Sequence, residues 1–410
     1  MRAPRLGRSF DGFDRRVWIL FYGRIIQATG FSMALPFLAL YLNGQLGVSM
    51  TEVGLVLLVS SAIGATGNIV GGEIADKFGR KRIMGLALSG RAIMMVLIAA
   101  VIAFVSGYLI IAVMITLSSF MGSMFEPASN AMVADIVPPN RRLDAYGLLR
   151  IGANLGWAMG PMIGGLLAMF SFSFLFLLGG IATGVVAGFL MVMLSESHVP
   201  GESHERFRIR DMVNLTKNRQ FAAFCIISLF LFIMFGQMSS TFAVYSENQV
   251  HISTAEVGYL YAINGLLVVF LQFPIARFIS HYRMCTVIAA GSLLYAIGYG
   301  LVGLAPDFLF LALCMFVVTM GEMTVSPSSM NLVANMSPEN ERGRYMGFYG
   351  LFSSYGFAAG PFVGGVLMDL LIGSPVLLWV SIGMFGIVAM VGYLLLGRHM
   401  SDSLNCSKAG

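Results

Sequence analysis

The chain has 410 residues, 57% of them hydrophobic and only 11% charged, with a mean hydropathy of +0.82. A water-soluble domain carries about 25% charged residues, so this composition excludes a soluble protein and calls for an integral membrane one. The formal net charge of +5 does not point to nucleic acid, because the basic residues sit in short loops between apolar runs.

Twelve apolar runs are long enough to cross about 30 Å of hydrocarbon. They cover residues 17–43, 53–75, 82–105, 108–136, 145–169, 172–194, 220–245, 256–278, 284–304, 307–335, 345–370 and 375–397. Barrel strands would alternate in polarity over about ten residues; these runs do not, so the predicted class is all-α. Arg2, Arg5, Arg8, Arg15 and Arg16 precede the first run, and Lys77, Arg80, Lys81 and Arg82 follow the second. Arg141 and Arg142 follow the fourth, and Arg206, Arg208, Arg210, Lys217 and Arg219 the sixth. Arg277 and Arg283, Arg342 and Arg344, then Arg398 and Lys408 complete the series. The loops on the opposite side carry no Lys or Arg, so the positive-inside rule places both termini in the cytoplasm. The first run is too long for a cleavable signal and lacks a small-residue cleavage site. Cys225, Cys285, Cys314 and Cys406 show no metal-ligand spacing and are expected to be free thiols. The sequon Asn214-Leu215-Thr216 falls on the cytoplasmic side and is expected to stay unmodified.

The chain repeats itself. GWAMGPMIGG at 156–165 is matched by GFAAGPFVGG at 356–365, and at the same shift Pro127, Ser129, Pro138, Asn140, Arg142 and Gly147 meet Pro327, Ser329, Pro338, Asn340, Arg342 and Gly347. TEVG at 51–54 is echoed by AEVG at 255–258. The expected plan is a segment 1–16, a six-helix bundle 17–194, a polar linker 195–219, a second bundle 220–397 and a tail 398–410.

GGEIADKFGRKR at 71–82 resembles the loop signature of the major facilitator superfamily and lies between the second and third runs, where that family has it. GWAMGPMIGG, on the fifth run, resembles the glycine–proline string of the twelve-helix drug–proton antiporter (multidrug efflux) branch. Gly30 and Pro36 match part of that branch's first-helix pattern, with Ala39 in place of its second Pro. The resemblance implies the major facilitator fold, two six-helix bundles in the cell (cytoplasmic) membrane, with a small-molecule substrate, the lipid bilayer as surroundings and a monomeric state. It also implies a gating loop built on Gly72, Asp76, Gly79 and Arg80, with Asp76 meeting the start of span eleven near Tyr345–Gly347 and Arg80 pairing with Asp135. In the second copy Arg277 stands where Asp76 would and Ser280 where Gly79 would, so any such network is lopsided.

Gly156, Gly160 and Gly164 share one helical face, and Pro161 bends the helix; Gly356, Gly360, Pro361 and Gly364 repeat the arrangement. Without a Cβ, such a face lets a neighbouring helix approach closely. The resemblance links the string to antiport; its presence in both halves favours symmetric packing of each fifth helix, near the interface between the halves.

Arg24, Arg91, Glu126, Arg150 and Glu322 lie inside predicted spans, where a charge near the centre costs about 2.5–3.5 kcal/mol. Helical spacing aligns Arg24 with Gln27 and Phe31, Glu126 with Gly122 and Asn130, and Arg150 with Asn154, Trp157 and Pro161. It also aligns Glu322 with Ser326 and Ser329, and Tyr349 with Ser353. The resemblance puts spans one, four, seven and ten on the substrate cavity, hence Gln27, Glu126, Asn130, Gln237 and Glu322; Phe31, Asn154, Trp157, Asn264 and Tyr349 are further wall residues. Glu126 or Glu322 is the expected proton-coupling residue, with Glu126 alternatively held in a fixed pair with an Arg of span one, three or five. Glu322 is alternatively a hydrogen-bonded structural acid. The branch's span-four Arg is absent: Ser118 stands there, four residues before Gly122, and Arg91 or Arg150 would have to substitute in space.

The expected function is secondary transport by alternating access, with proton-coupled export of amphipathic compounds foremost. Transport of one polar metabolite or organic anion is the alternative, and a non-transporting sensor or scaffold is the reading from another class. No Walker-type loop, metal cluster or nucleophile–base pair is visible, so neither an enzyme nor a cofactor is expected, only protons as the coupling ion.

Overall fold

The computed structural model describes residues 12–105, 107–197, 215, 217–338 and 341–406. Arg2, Arg5, Arg8, Arg206, Arg208, Arg210, Asn214, Thr216, Asn340 and Lys408 lie outside the described residues, as do most of the expected 1–16 segment and the 195–219 linker. Among the described residues there is no sheet, and twelve helical spans are long and apolar enough to cross a membrane. They are span one Arg15–Gln45, two Met50–Phe78, three Arg80–Phe104, four Tyr108–Ile136, five Asp144–Ala168, six Phe172–Met193 and seven Arg219–Ser239. Spans eight to twelve are Thr254–Ile279, Met284–Val302, Phe308–Met336, Arg344–Leu370 and Pro375–Arg398. The all-α, twelve-span expectation therefore holds.

Three spans are interrupted. Span one runs as a helix over Arg15–Ser32, restarts at Leu35–Leu40 with Pro36 in its first turn, and ends in a π-turn, Tyr41–Gln45. Span four breaks between Tyr108–Ser123 and Phe125–Ile136, where Pro127 lacks the amide that would continue the ladder. Span seven is helical over Arg219–Phe235, tightens to a 3₁₀ turn at Gly236–Ser239 and restarts as Thr241–Asn248. No proline marks this last break; Ser240 makes it, with φ −153° and ψ −66°.

Contacts divide the chain into two compact units, Met1–Leu46 with Val59–Ser203, and Gly47–Leu58 with His204–Gly410. The boundary differs from the expected bundle limits, because the opening turns of span two belong to the second unit. There the Asp369 carboxylate accepts the backbone N–H groups of Met50 (3.1 Å) and Thr51 (2.7 Å). These are first-turn amides without helical partners, and a carboxylate also suits the positive end of the helix dipole. Gly365 lies against the backbone of Met50 and Thr51, and Gly54 against that of Pro361 and Phe362.

Inside each unit the glycine string packs the fifth span onto the first. A Cβ on Gly156 would strike Ile25 O and Ala28, one on Gly160 would strike Ser32 and Met33 N, and one on Gly164 would strike Met33 O and the Phe37 ring. In the second unit Gly356 meets Phe232 and Leu229 O, Gly360 meets Ile233 O and Gly236, and Gly364 meets Gln237 and Thr241. Polar cross-links accompany both contacts. The Ser32 hydroxyl donates to Gly156 O at 3.1 Å, and the Gln237 amide to Gly360 O at 2.9 Å. The first unit's core is built from aliphatic residues with Phe125, including Leu20, Leu88, Met132, Leu149 and Leu190. The second is richer in rings: Tyr295 stacks on Tyr299, and Tyr299 on Trp379, while Phe224 packs on Tyr349 and Tyr393.

The residues after span twelve fold back. Asp402–Asn405 forms a short helix, Asp402 pairs with Arg283, buried Asn405 accepts the Cys285 N–H at 2.8 Å, and Asn335 donates to Leu404 O at 3.0 Å. Near the end of Thr241–Asn248, past the apolar membrane segment Arg219–Ser239, Glu247 accepts the Thr254 hydroxyl at 3.1 Å through Oε1, while Oε2 is buried without a partner. Burial pushes this carboxyl up, and the Thr254 hydrogen bond only partly opposes it.

Gly360→Ala is expected to lower stability by about 1–3 kcal/mol through overpacking. Gly347→Ala, at a helical glycine with nothing within 4 Å, should be neutral or stabilising by up to about 1 kcal/mol; thermal unfolding of the purified variants compares them. Because Glu247 binds its proton more tightly folded than unfolded, stability should rise as pH falls through the folded-state pKa. Glu247→Gln should flatten that segment of the stability–pH curve and stabilise the protein at neutral pH.

Candidate functional site

Two polar centres occupy the first unit. The first gathers around Arg80, at the base-rich end of span three. Its guanidinium is almost wholly buried, with side-chain exposure of 4%; it pairs with Asp76 at 2.8 Å and Asp135 at 3.1 Å, and donates to Ala75 O at 2.9 Å. Asp135 also accepts the Ser197 hydroxyl at 2.8 Å. Gly79 takes φ +104°, the left-handed region that favours glycine, and thereby turns span two into span three. Glu196, just past span six, lies against Gly79 and accepts the N–H groups of Arg80 (2.8 Å) and Lys81 (3.3 Å). It thus caps the start of span three. Gly72 makes only ordinary contact with Pro127. Sequence reasoning missed Glu196; its one signal was an acid directly after an apolar run. Arg142 closes this end of span four by donating to Val137 O and Ala134 O at 3.1 and 2.6 Å.

The second centre lies within the helical spans, away from their ends. Arg24 of span one donates to Glu126 of span four at 2.6 Å, so of the three spans offered as partners it is span one that supplies the Arg. The Arg24 side chain is 9% exposed and that of Glu126 57% exposed. The pair is therefore asymmetric: a desolvated cation holds a carboxylate that remains open on one side. Arg91 of span three sits over the Phe31 ring at 4.6 Å, donates through Nε to Ser118 O at 3.3 Å, and leaves Nη1 buried without a partner. Its guanidinium fills the space left by the missing side chain of Gly122. Of the two candidates to replace the absent span-four Arg, it is Arg91 that lies beside Ser118 and Gly122; Arg150 is exposed and joins neither centre. Phe31 in turn meets Trp157 edge-on at 6.0 Å. Trp157 and Asn154 are exposed, while Gln27 and Asn130 are half-buried.

In the second unit Glu322 is half-buried and accepts the Asn264 amide at 2.9 Å, while the same amide donates to Thr319 at 3.0 Å. Gln237 and Tyr349, expected as wall residues, are buried instead. Gln237 is held by its donations to Ile233 O (3.0 Å) and Gly360 O (2.9 Å), and Tyr349 by the rings of Phe224 and Phe232. The reason is the glycine string, which draws spans seven and eleven so close that residues on the contact leave no open surface.

Among the described residues no group of three His, Cys, Asp or Glu could hold a metal ion. The arrangement is instead that of a helical membrane carrier: two six-span repeats, a charged hub at one end and sparse, mostly satisfied charges at depth. The family model described as Major Facilitator Superfamily matches residues 20–283 and 226–409. The chain belongs to that superfamily. It is 27% identical over 381 residues to multidrug resistance protein MdtH of Yersinia enterocolitica, covering 92% of each chain. It is 26% identical over 362 residues to a Na(+), Li(+), K(+)/H(+) antiporter of Planococcus maritimus, covering 81% of this chain and 85% of the relative. Its fold matches the crystal structure of a bacterial homolog of the human lysosomal transporter Spinster, with a TM-score of 0.79 at 15% identity over 94% of this chain and 98% of that one. The chain is thus a membrane transporter rather than an enzyme.

Asp135→Asn should cost about 3 kcal/mol, because it leaves the buried Arg80 cation short of a partner. Asp76→Asn, whose side chain is 60% exposed, should cost about 0.5 kcal/mol. SDS titration of the purified proteins checks the difference.

Proposed function

We propose that this transporter exports amphipathic small molecules by alternating access, driven by inward movement of protons. The observation that carries the reading is the Arg24–Glu126 pair, in which the cation is desolvated and the carboxylate is open. A proton reaching Glu126 removes its charge and releases it from Arg24; loss of the proton restores the pair. A cationic or polar cargo group competes for the same carboxylate, which links the two movements. Glu322, held by Asn264, is the second site at which a proton can be bound and released. Trp157, exposed and edge-on to Phe31, offers a ring to apolar cargo. The names of two relatives, a multidrug resistance protein and a proton-linked antiporter, support this reading. The Arg80 centre would act as a lock at the cytoplasmic end.

A second reading, transport of an organic anion, is favoured by Arg91, whose buried guanidinium has no carboxylate partner among the described residues.

In proteoliposomes with an imposed pH gradient, the wild-type chain should accumulate a lipophilic cation such as a fluorescent dye. Glu126→Gln is expected to reduce gradient-driven accumulation at least tenfold, and Glu322→Gln to reduce it less. Undiminished accumulation by both single variants and the double variant would refute proton coupling through these residues. Dye-insensitive transport with a conserved requirement for an organic anion would favour the second reading.

A further inference from the structure

The two repeats provide an internal control for the break in span seven. At a shift of 204, Met33, Pro36 and Phe37 of span one correspond to Gln237, Ser240 and Thr241 of span seven. The glycine strings confirm the register, since Gly164 faces Met33 O and the Phe37 ring while Gly364 faces the side-chain oxygens of Gln237 and Thr241. In the first unit the break is carbon-lined, and its hydroxyl, on Ser32, is satisfied by Thr29 O and Gly156 O. In the second unit Gln237 Oε1, Ser240 Oγ and Thr241 Oγ1 are all buried and all without a hydrogen-bond partner. Their residues are 1%, 0% and 0% exposed. An orphaned polar group of this kind costs about 1–3 kcal/mol; Gln237 Oε1 and Thr241 Oγ1 converge beside Gly364, and Ser240 is the next residue along the chain.

The chemistry selects an occupant. Both Gln237 amide hydrogens are engaged with Ile233 O and Gly360 O, so the side chain offers only its accepting Oε1. The Tyr261 hydroxyl donates to the Met238 carbonyl, which lies next to the break. The break closes the C-terminal, negative end of Arg219–Phe235 and its 3₁₀ extension. Neutral oxygens with no thiolate or imidazole among them suit a hard cation of low charge. Broken membrane helices bind such ions through unwound backbone and half-helix ends. We propose that the break in span seven, through Gln237, Ser240 and Thr241, is a binding site for an alkali cation, Na⁺ or Li⁺. Gly364 is part of the site: any side chain there would displace the Gln237 and Thr241 oxygens.

The site is separate from Glu126 and Glu322, so its test does not depend on what drives transport. Purified full-length protein is unfolded thermally in NaCl, LiCl or choline chloride at constant ionic strength. Na⁺ or Li⁺ should raise Tm saturably, by about 2 °C for each tenfold increase above the dissociation constant, and choline should not. Thr241→Val and Ser240→Ala should each weaken this cation dependence at least tenfold in concentration. Ser239→Ala, which removes a hydroxyl already satisfied by Gly236 O, should leave it intact. Direct binding of ²²Na⁺ to the wild-type chain supplies a readout should a variant fold poorly. Equal Tm in sodium and choline together with no ²²Na⁺ binding would overturn the proposal and leave the break to ordered water. Cation dependence unchanged in both Thr241→Val and Ser240→Ala would place the ion elsewhere and overturn it equally.

Discussion

Between two helices in lipid there is little hydrophobic drive, because the acyl chains are as apolar as the side chains they replace. Association then rests on close van der Waals contact and on hydrogen bonds made where the backbones come near. In this transporter that contact is made by Gly156, Gly160 and Gly164 on span one, and by Gly356, Gly360 and Gly364 on span seven. Removing the Cβ atoms brings carbonyls within reach of Ser32 and Gln237. The same closeness decides which side chains stay open. It buries Gln237, while Trp157, one residue beyond Gly156 on the helix, lies at the rim of the contact, edge-on to Phe31, and remains exposed.

On this frame the charges are placed by their need for partners. Arg80 can be almost fully buried because two carboxylates and a carbonyl surround it. Arg24 is desolvated against Glu126, and Arg91 is compensated by a ring face, a carbonyl and the space left by Gly122. The three cations thus show decreasing ionic compensation, from two carboxylates to one to none. A buried guanidinium without a carboxylate persists when dispersion, cation–π attraction and a backbone acceptor replace the ion pair.

The spans, the repeat and the glycine contact were legible because each follows from a property that survives in one dimension: hydropathy over twenty residues, self-similarity at fixed shift, spacing on a helix. Glu126 could be read as a partner for an Arg because an isolated intramembrane acid needs one, although three spans were open to it. Glu196 was hidden because its contacts with Arg80 and Lys81 cross more than a hundred residues. The span-seven break carries no proline, so its only trace is the loss of apolar character at Gln237, Ser240 and Thr241. The burial of Tyr349 between Phe224 and Phe232 was not legible, because helical spacing tells which residues share a face, not how near the next helix lies. Nor could spacing foresee that Asn405 folds back to the Cys285 amide.

Span two is one continuous helix, yet its opening turns belong to the unit that otherwise begins at His204. A chain cut in the linker would therefore not yield two self-sufficient pieces. The C-terminal piece made alone would present the Asp369 carboxylate without the Met50 and Thr51 amides, and would leave Gly365 without the backbone that covers it. The two repeats share a sequence pattern at a fixed shift, yet residues 47–58, part of the first repeat, pack with the second unit.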